Sequence, residues 1–300
     1  MKDDQNMRHK IQHNETWFVK DVCGIICALF SYILIIFAQY VLITVIWSPE
    51  ENTILKMINI VVFEFFVFLA FAAHLRTMFT DPGSVPKGTA TKEAIEQLGL
   101  IDGQVLYKCT KCSCIKPERA HHCSVCQRCI SKMDHHCPWV NNCVGENNQK
   151  FFVLFTFYIA IISIHALVMV FNHFMKCLDN EWKLDSNSTL CGTTYKDPKT
   201  GFVMSSSPAP INIILLICVV FEGLLFAIFT LIMFAVQMQA IWNDETSIEQ
   251  LKKETNKRWS RRQRWRNMRA VFGLKGFSMA WFSPFTRVES KAYVESNYTV

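Results

Sequence analysis

The sequence predicts an all-α polytopic membrane protein, with four transmembrane helices and a cytosolic, zinc-stabilised cysteine-rich domain between helices 2 and 3. Three observations carry this expectation. Hydrophobic residues make up 51% of 300 positions, with 24 phenylalanines, and they are gathered into four long, almost uncharged windows. Between the second and third windows, Cys109 to Cys143 packs eight cysteines together with the pairs His121-His122 and His135-His136. Lysine and arginine collect in that segment and in the tail after the fourth window, which carries twelve of them.

The windows run over about Val22–Trp47, Ile54–Phe79, Phe151–Met175 and Ile211–Met238. At about 1.5 Å per residue each reaches roughly 35 to 40 Å, beyond the roughly 30 Å hydrocarbon layer. The first is preceded by polar sequence and is too long for a signal core, so it is expected to remain as a span. The positive-inside rule then predicts cytosolic residues 1–21, helices 1 and 2 within 22–79, a cytosolic domain at 80–149, helices 3 and 4 within 150–240 around a luminal loop 176–210, and a cytosolic tail at 241–300.

In a reducing cytosol clustered thiols serve metal and chemistry rather than disulfides. Cys109-x2-Cys112, His122-Cys123-x2-Cys126-x2-Cys129, His136-Cys137 and Cys143 have the short spacings that zinc favours. Two tetrahedral sites take eight ligands, and Cys109, Cys112, His122, Cys123, Cys126, Cys129, His136 and Cys143 supply them. Cys137 is then a thiol the metals do not need, next to His135. A nucleophilic cysteine needs a base, and the base needs an orienter; His135 and Asp134 are the candidates, with a zinc-imposed bend expected to turn His135 and Cys137 to one side and His136 to metal. Structural zinc contributes about 10 to 16 kcal/mol per site, which this short polar segment needs.

In the 176–210 loop, Asn187-Ser188-Thr189 is a glycosylation acceptor on the luminal side, and Cys177 and Cys191 are positioned to pair there. Asn14 and Asn297 also head acceptor patterns, but on the cytosolic side. Glu64 and Glu222 fall inside spans and are read as carboxyls hydrogen-bonded to a neighbouring helix; Asn59 and His165 are read as interhelical polar contacts. The tail from Glu249 to Arg269 mixes arginine and lysine with Trp259 and Trp265, which suits a helix on an anionic leaflet and, so near a span, argues against nucleic acid. Tyr298-Thr299-Val300 has the form of a PDZ-domain ligand.

Asp81-Pro82-Gly83, the cysteine and histidine array, Asp134-His135-His136-Cys137, Thr246-Ser247-Ile248-Glu249 and Asn267 to Gly273 together resemble a DHHC protein S-acyltransferase. The segments Cys109–Phe152 and Asp244–Lys253 are most similar to the Golgi-associated GODZ-like subgroup, and the family's T-T-x-E motif here reads Thr-Ser-Ile-Glu. The resemblance implies two interleaved structural zinc sites: Cys109, Cys112, His122 and Cys129 in one, and Cys123, Cys126, His136 and Cys143 in the other. It further implies ping-pong transfer: Cys137 takes a long-chain, palmitoyl-type group from acyl-CoA and passes it to cysteines of membrane-associated substrate proteins. Trp139 is expected near the thioester and Ile162 as a gauge of chain depth, with Lys116, Arg119 and His121 at CoA phosphates. Cys114 is read as a small packing residue. The alternatives are a zinc-braced membrane scaffold, which leaves Cys137 and His135 unexplained, and a ubiquitin ligase, which fits badly because the array ends in a lone Cys143 rather than a close pair.

Overall fold

The computed structural model describes residues 17–48, 50, 52–97, 106–183, 194–196, 203–205, 210–252, 261–273 and 276–286. The acceptors at Asn14, Asn187 and Asn297, Trp259, and Tyr298-Thr299-Val300 lie outside the described residues. The chain forms two compact units, one from the described parts of 29–71 and 155–235, the other from those of 1–28, 72–154 and 236–300.

The first of these holds the middles of four apolar helices: α1 (Val22–Val41, continued as a π-helix over Leu42–Trp47), α2 (Thr53–Phe79), α4 (Gln149–Lys183) and α5 (Pro210–Asn243). All four are long and apolar enough to cross a membrane. In α4, 56% of the apolar window is buried, against 17 to 22% in the other three, so α4 is the inner helix and the others turn phenylalanine, leucine and isoleucine outward. Two polar contacts join them: Gln39 Nε2 donates to Glu64 Oε2 at 2.7 Å, and His165 Nε2 meets Asn59 Oδ1 at 3.2 Å. Glu222 differs from expectation, since its buried Oε2 has no hydrogen-bond partner among the described residues. The π-helix was not foreseen; its buried Trp47 packs edge-on against Phe63 and His165. The third span also outruns its predicted end: α4 continues through Lys183, into the segment expected as loop. Cys177 is disulfide-bonded, and its expected partner Cys191 lies outside the described residues.

The other unit gathers the ends of these helices around the cysteine-rich segment. After the short α3 (Lys92–Gln97) come three antiparallel hairpins: β1 (Lys108–Cys109) with β2 (Cys114–Ile115), β3 (His121–Cys123) with β4 (Arg128–Ile130), and β5 (His135–Cys137) with β6 (Asn142–Val144). Each strand is two or three residues long, too short to stand without a staple. A fourth hairpin, β7 (Thr194–Lys196) with β8 (Val203–Ser205), follows α4. After α5 come α6 (Ser247–Lys252), α7 (Arg261–Phe272) and a 3-10 turn at Met279–Trp281.

The last carbonyls of a helix have no partner inside it. At the end of α2 those of Thr77 and Met78, with the following Thr80, are taken up by the Asn142 side-chain amide at 2.9 to 3.2 Å, and Asn148 adds a second donor to Thr77. Asp81 then closes an Asx turn, its carboxylate accepting the amides of Gly83 and Ser84. Gly83 has φ +109°, a conformation that favours glycine. Gly145 is required for a different reason: a β-carbon there would stand 2.5 Å from the Pro82 carbonyl. These contacts fasten the β5–β6 hairpin to the end of a membrane helix.

Candidate active site and metal clusters

Two groups of four ligand atoms form, each within 4.8 Å: Cys109, Cys112, His122 and Cys129, and Cys123, Cys126, His136 and Cys143. Strand pleating explains the interleaving. His122 and Cys123 are neighbours on β3 and point to opposite faces, so one enters each group. His122 stands across from Cys129, and His136 across from Cys143, which delivers one cysteine and one histidine to each group from a single hairpin. The remaining two cysteines come from C-x2-C turns, followed by Ser113 at φ 48° and Gln127 at φ 55°, left-handed positions that cost about 1 kcal/mol or more for a residue with a β-carbon.

The donor geometry fits a tetrahedral thiolate–imidazole metal ion. Ligand bonds of roughly 2.0 to 2.3 Å imply sulfur-to-nitrogen edges of about 3.6 Å. His122 Nδ1 lies 3.7, 3.2 and 3.9 Å from the sulfurs of Cys109, Cys112 and Cys129. His136 Nδ1 lies 3.7, 3.4 and 3.6 Å from those of Cys123, Cys126 and Cys143. Cys114 belongs to neither group; fully buried, it packs with Val85, Ala120 and the first group's cysteines.

Cys137 is also in neither group. On β5 the pleat sends His136 to one side, and His135 and Cys137 to the other. The expected metal-imposed bend is therefore unnecessary, because strand alternation alone separates the two histidines. His135 Nδ1 donates to Asp134 Oδ2 at 2.6 Å, and the ring meets Phe152 edge-on at 5.2 Å.

Asp134 is 2% exposed and saturated with donors. Besides His135, its carboxylate accepts Gln237 Nε2 at 2.8 Å, the Ser247 amide at 2.7 Å and the Ser247 hydroxyl at 3.1 Å. Burial pushes its carboxyl up, but the hydrogen bond and charge of His135, the Ser247 amide and Gln237 outweigh that and hold it below the usual carboxylate range. Burial likewise opposes charge on His135, yet the bond to Asp134 and the interaction with Cys137 raise the imidazole to about 9. An imidazole oriented by a buried carboxylate on the strand face of a thiol is a candidate general base.

Gln237 was missed in the sequence because a polar residue at the end of an apolar window reads as a helix terminus. It is completely buried, and Gln149 Nε2 donates to its Oε1 at 3.2 Å, which turns the Gln237 amide nitrogen toward Asp134. The Thr-Ser-Ile-Glu motif also acquires a mechanism. Helix α5 ends in a Schellman turn, with Asp244 left-handed at φ 52° and the Glu245 amide bonded to the Ala240 carbonyl. Thr246 and Glu249 then form a capping box: Glu249 accepts the Thr246 amide at 2.8 Å, and Thr246 Oγ1 accepts the Glu249 amide at 3.3 Å. The box presents Ser247 to Asp134, and the hydroxyl kept at that position makes one of the contacts.

Arg119 is engaged by acidic partners from the end of α5 and from the capping box. Its guanidinium bonds Glu249 at 2.6 and 2.9 Å and Asp244 at 3.1 Å, and Lys132 joins Asp244 at 2.7 Å, so Arg119 braces the capping box. Lys116 and His121 are half-buried on the cysteine-rich segment. Trp139 lies in the 3-10 turn Pro138–Val140 after Cys137, where its carbonyl meets His74 Nε2 at 2.9 Å. Ile162 is buried on α4, in the helical unit.

A family model for the DHHC palmitoyltransferase domain matches residues 104–254. The chain is 55% identical to human palmitoyltransferase ZDHHC3 over 269 residues, covering 90% of this chain and 83% of that protein. It is 52% identical to the zebrafish (Danio rerio) palmitoyltransferase ZDHHC3-A over 275 residues, 92% and 80% of the two chains. With rat palmitoyltransferase ZDHHC7 the figure is 49% over 272 residues, 91% and 82%. A buried Asp–His pair beside a thiol left out of two Cys3His clusters, on a chain this similar along most of its length, belongs to the DHHC palmitoyltransferase family.

Proposed function

We propose that the chain is a membrane-embedded protein S-acyltransferase in which Cys137 is the nucleophile, His135 the general base and acid, and Asp134 the group that orients His135. The observation that carries this reading is the 2.6 Å Asp134–His135 bond on a strand face shared with Cys137, away from both ligand groups. His135 takes the Cys137 proton, and the thiolate sulfur attacks the thioester carbonyl of a long-chain acyl-CoA. The carbon–sulfur bond to CoA breaks, and the CoA sulfur leaves with the proton held on His135. A substrate cysteine then gives its proton to His135 and attacks the Cys137 thioester, so the acyl group moves on and Cys137 recovers its proton. Thioester exchange is nearly isoenergetic, so activation and positioning are the protein's task.

Zinc is the natural occupant of both Cys3His groups, where four protein ligands leave no open position and the role is structural. His122 and His136 then serve the fold. A long acyl chain, at about 0.8 kcal/mol per buried methylene, suits a donor handled by apolar membrane helices, with Ile162 as the proposed depth gauge. Trp139 is assigned to the thioester end, and Lys116 and His121 to CoA phosphates. The distribution of lysine and arginine supports cytosolic termini and a cytosolic cysteine-rich domain at 80–149. Golgi residence rests on the GODZ-like resemblance, and recognition of the C-terminus by a PDZ domain on its last three residues.

The test is intact-mass analysis of zinc-loaded protein after exposure to acyl-CoAs of graded length. One hydroxylamine-labile acyl group should appear on Cys137, and Cys137→Ser should abolish it with two zinc ions retained. Label on other cysteines with Cys137 untouched would overturn the assignment.

A further inference from the structure

Helix α7, Arg261-Arg262-Gln263-Arg264-Trp265-Arg266-Asn267-Met268-Arg269-Ala270-Val271-Phe272, has five arginines and no acidic residue. One side is docked. Asn267, Met268, Val271 and Phe272 are buried, Asn267 Nδ2 donates to the carbonyl of Trp242 at the end of α5, and the Arg264 guanidinium sits 6.0 Å from the Trp242 ring. The other side carries Arg262, Trp265, Arg266 and Arg269 at spacings of three and four, all exposed. The turn that follows adds apolar surface, with Phe277 72% and Met279 83% exposed.

Both ends of this segment are tied to places where apolar helices begin or end. Trp265 meets Trp242 edge-on at 5.7 Å. At the far end Lys150, in the first turn of α4 and 1% exposed, donates to the carbonyls of Phe272 at 3.4 Å and Ala280 at 2.9 Å and to the Thr286 hydroxyl. A strip bracketed by the end of one span and the start of another lies at the level of the membrane boundary.

We propose that the exposed arginine side of α7, with Arg262, Trp265 and Arg266, together with the exposed Phe277 and Met279 of the turn that follows it, is a binding surface for anionic phospholipid of the leaflet that α4 and α5 enter. This rests on reading those helices as spans and is independent of the catalytic assignment. Guanidinium groups meet headgroup phosphates, and tryptophan, phenylalanine and methionine enter the headgroup–acyl boundary. An acidic protein or CoA would satisfy the arginines but leave Phe277 and Met279 in water, so a lipid surface fits the whole face.

The test uses the full zinc-loaded chain in nanodiscs of phosphatidylcholine alone and of phosphatidylcholine with phosphatidylserine at about four to one, with amide hydrogen exchange followed over 262–286. Exchange should slow in the serine-containing discs, and each arginine removed should weaken that effect on the order of fivefold at low salt. Arg262→Glu with Arg266→Glu should abolish the lipid difference while zinc content and self-acylation in detergent stay unchanged, which separates this proposal from the catalytic one. Phe277→Ser with Met279→Ser should speed exchange in both discs. Equal exchange of the unaltered chain in the two discs, a lipid effect that survives the double arginine variant, or the same slowing produced by CoA without phosphatidylserine would each overturn the proposal.

Discussion

Two hairpins of the cysteine-rich segment begin almost alike. Ala120-His121-His122-Cys123 leads into β3 and Asp134-His135-His136-Cys137 into β5. In each the second histidine stands across from a cysteine of the returning strand and faces a cluster with it. The cysteines that follow have opposite fates. Cys123 turns into the next cluster, whereas beyond Cys137 the described residues form no third cluster, and its strand face carries His135 bound to Asp134. One local architecture therefore yields a cluster cysteine or, on the proposed assignment, a nucleophile, according to what occupies the far side of the strand. The difference begins with one side chain, Ala120 against Asp134, and is completed by Gln237 and Ser247 from distant sequence.

The sharpest way to break this comparison is to exchange the roles of the two adjacent histidines. His136→Ala should release one zinc ion and, with about 10 to 16 kcal/mol of site free energy removed, much of the folded domain. His135→Ala should keep both ions and lose self-acylation; equal zinc loss from the two variants would show the histidines to be misassigned. Next in size is Asp134→Ala, which makes the second hairpin read like the first. Self-acylation should fall about 10²- to 10⁴-fold with zinc content unchanged. The reciprocal Ala120→Asp should leave Cys123 unreactive toward acyl-CoA, since its sulfur is held by a cluster.

Smaller losses are expected from the donors that reach Asp134 from outside the hairpin. A hydrogen bond to a charged group is worth about 1.5 to 3 kcal/mol, so Gln237→Leu or Ser247→Ala should slow acyl-enzyme formation roughly ten- to a hundredfold. Ser247→Thr, which restores the family's usual residue, should stay near the unaltered rate. Unchanged rates in both Gln237→Leu and Ser247→Ala would mean that the Asp134–His135 pair needs no outside support. The smallest effect concerns pH. Burial raises the carboxyls of Asp244 and Glu249, but Lys132 and Arg119 beside the first, and Arg119 with the Thr246 amide beside the second, hold both below their usual values. Their contribution to stability is present above the unfolded carboxylate range, near pH 4, and is lost as pH falls through the lower folded values. Acid unfolding of Arg119→Gln should therefore begin at higher pH than that of the unaltered chain, which circular dichroism would follow.

Much of the molecule was legible before any coordinates. Hydropathy alone outlined the four apolar helices, because every backbone polar group in a bilayer must be satisfied within its own helix. Cysteine and histidine spacing marked the eight residues that form the two ligand groups, because a short C-x2-C turn has few other uses in a reducing compartment. Left over from that count was the thiol of Cys137, beside a histidine and an aspartate contiguous in the chain.

Other features are set by groups far apart in sequence, which no local pattern reveals. The π-helix at Leu42–Trp47 and the continuation of α4 through Lys183 depend on packing and on where a helix finds its end. Arg119 was expected at CoA phosphates, and its pairing with Asp244 and Glu249, more than a hundred positions away, has no local signal in the sequence. Gln237 is one polar residue at the close of an apolar helix until Asp134 and Gln149 are placed on either side of it. Residue types and spacings determined which side chains can ligate, attack or span, since those are properties of atoms and short segments. Which histidine joins a ligand cluster and which bonds Asp134 was decided by strand pleating and by donors delivered from the ends of α4 and α5, because only the folded chain sets the two faces of β5 against different surroundings.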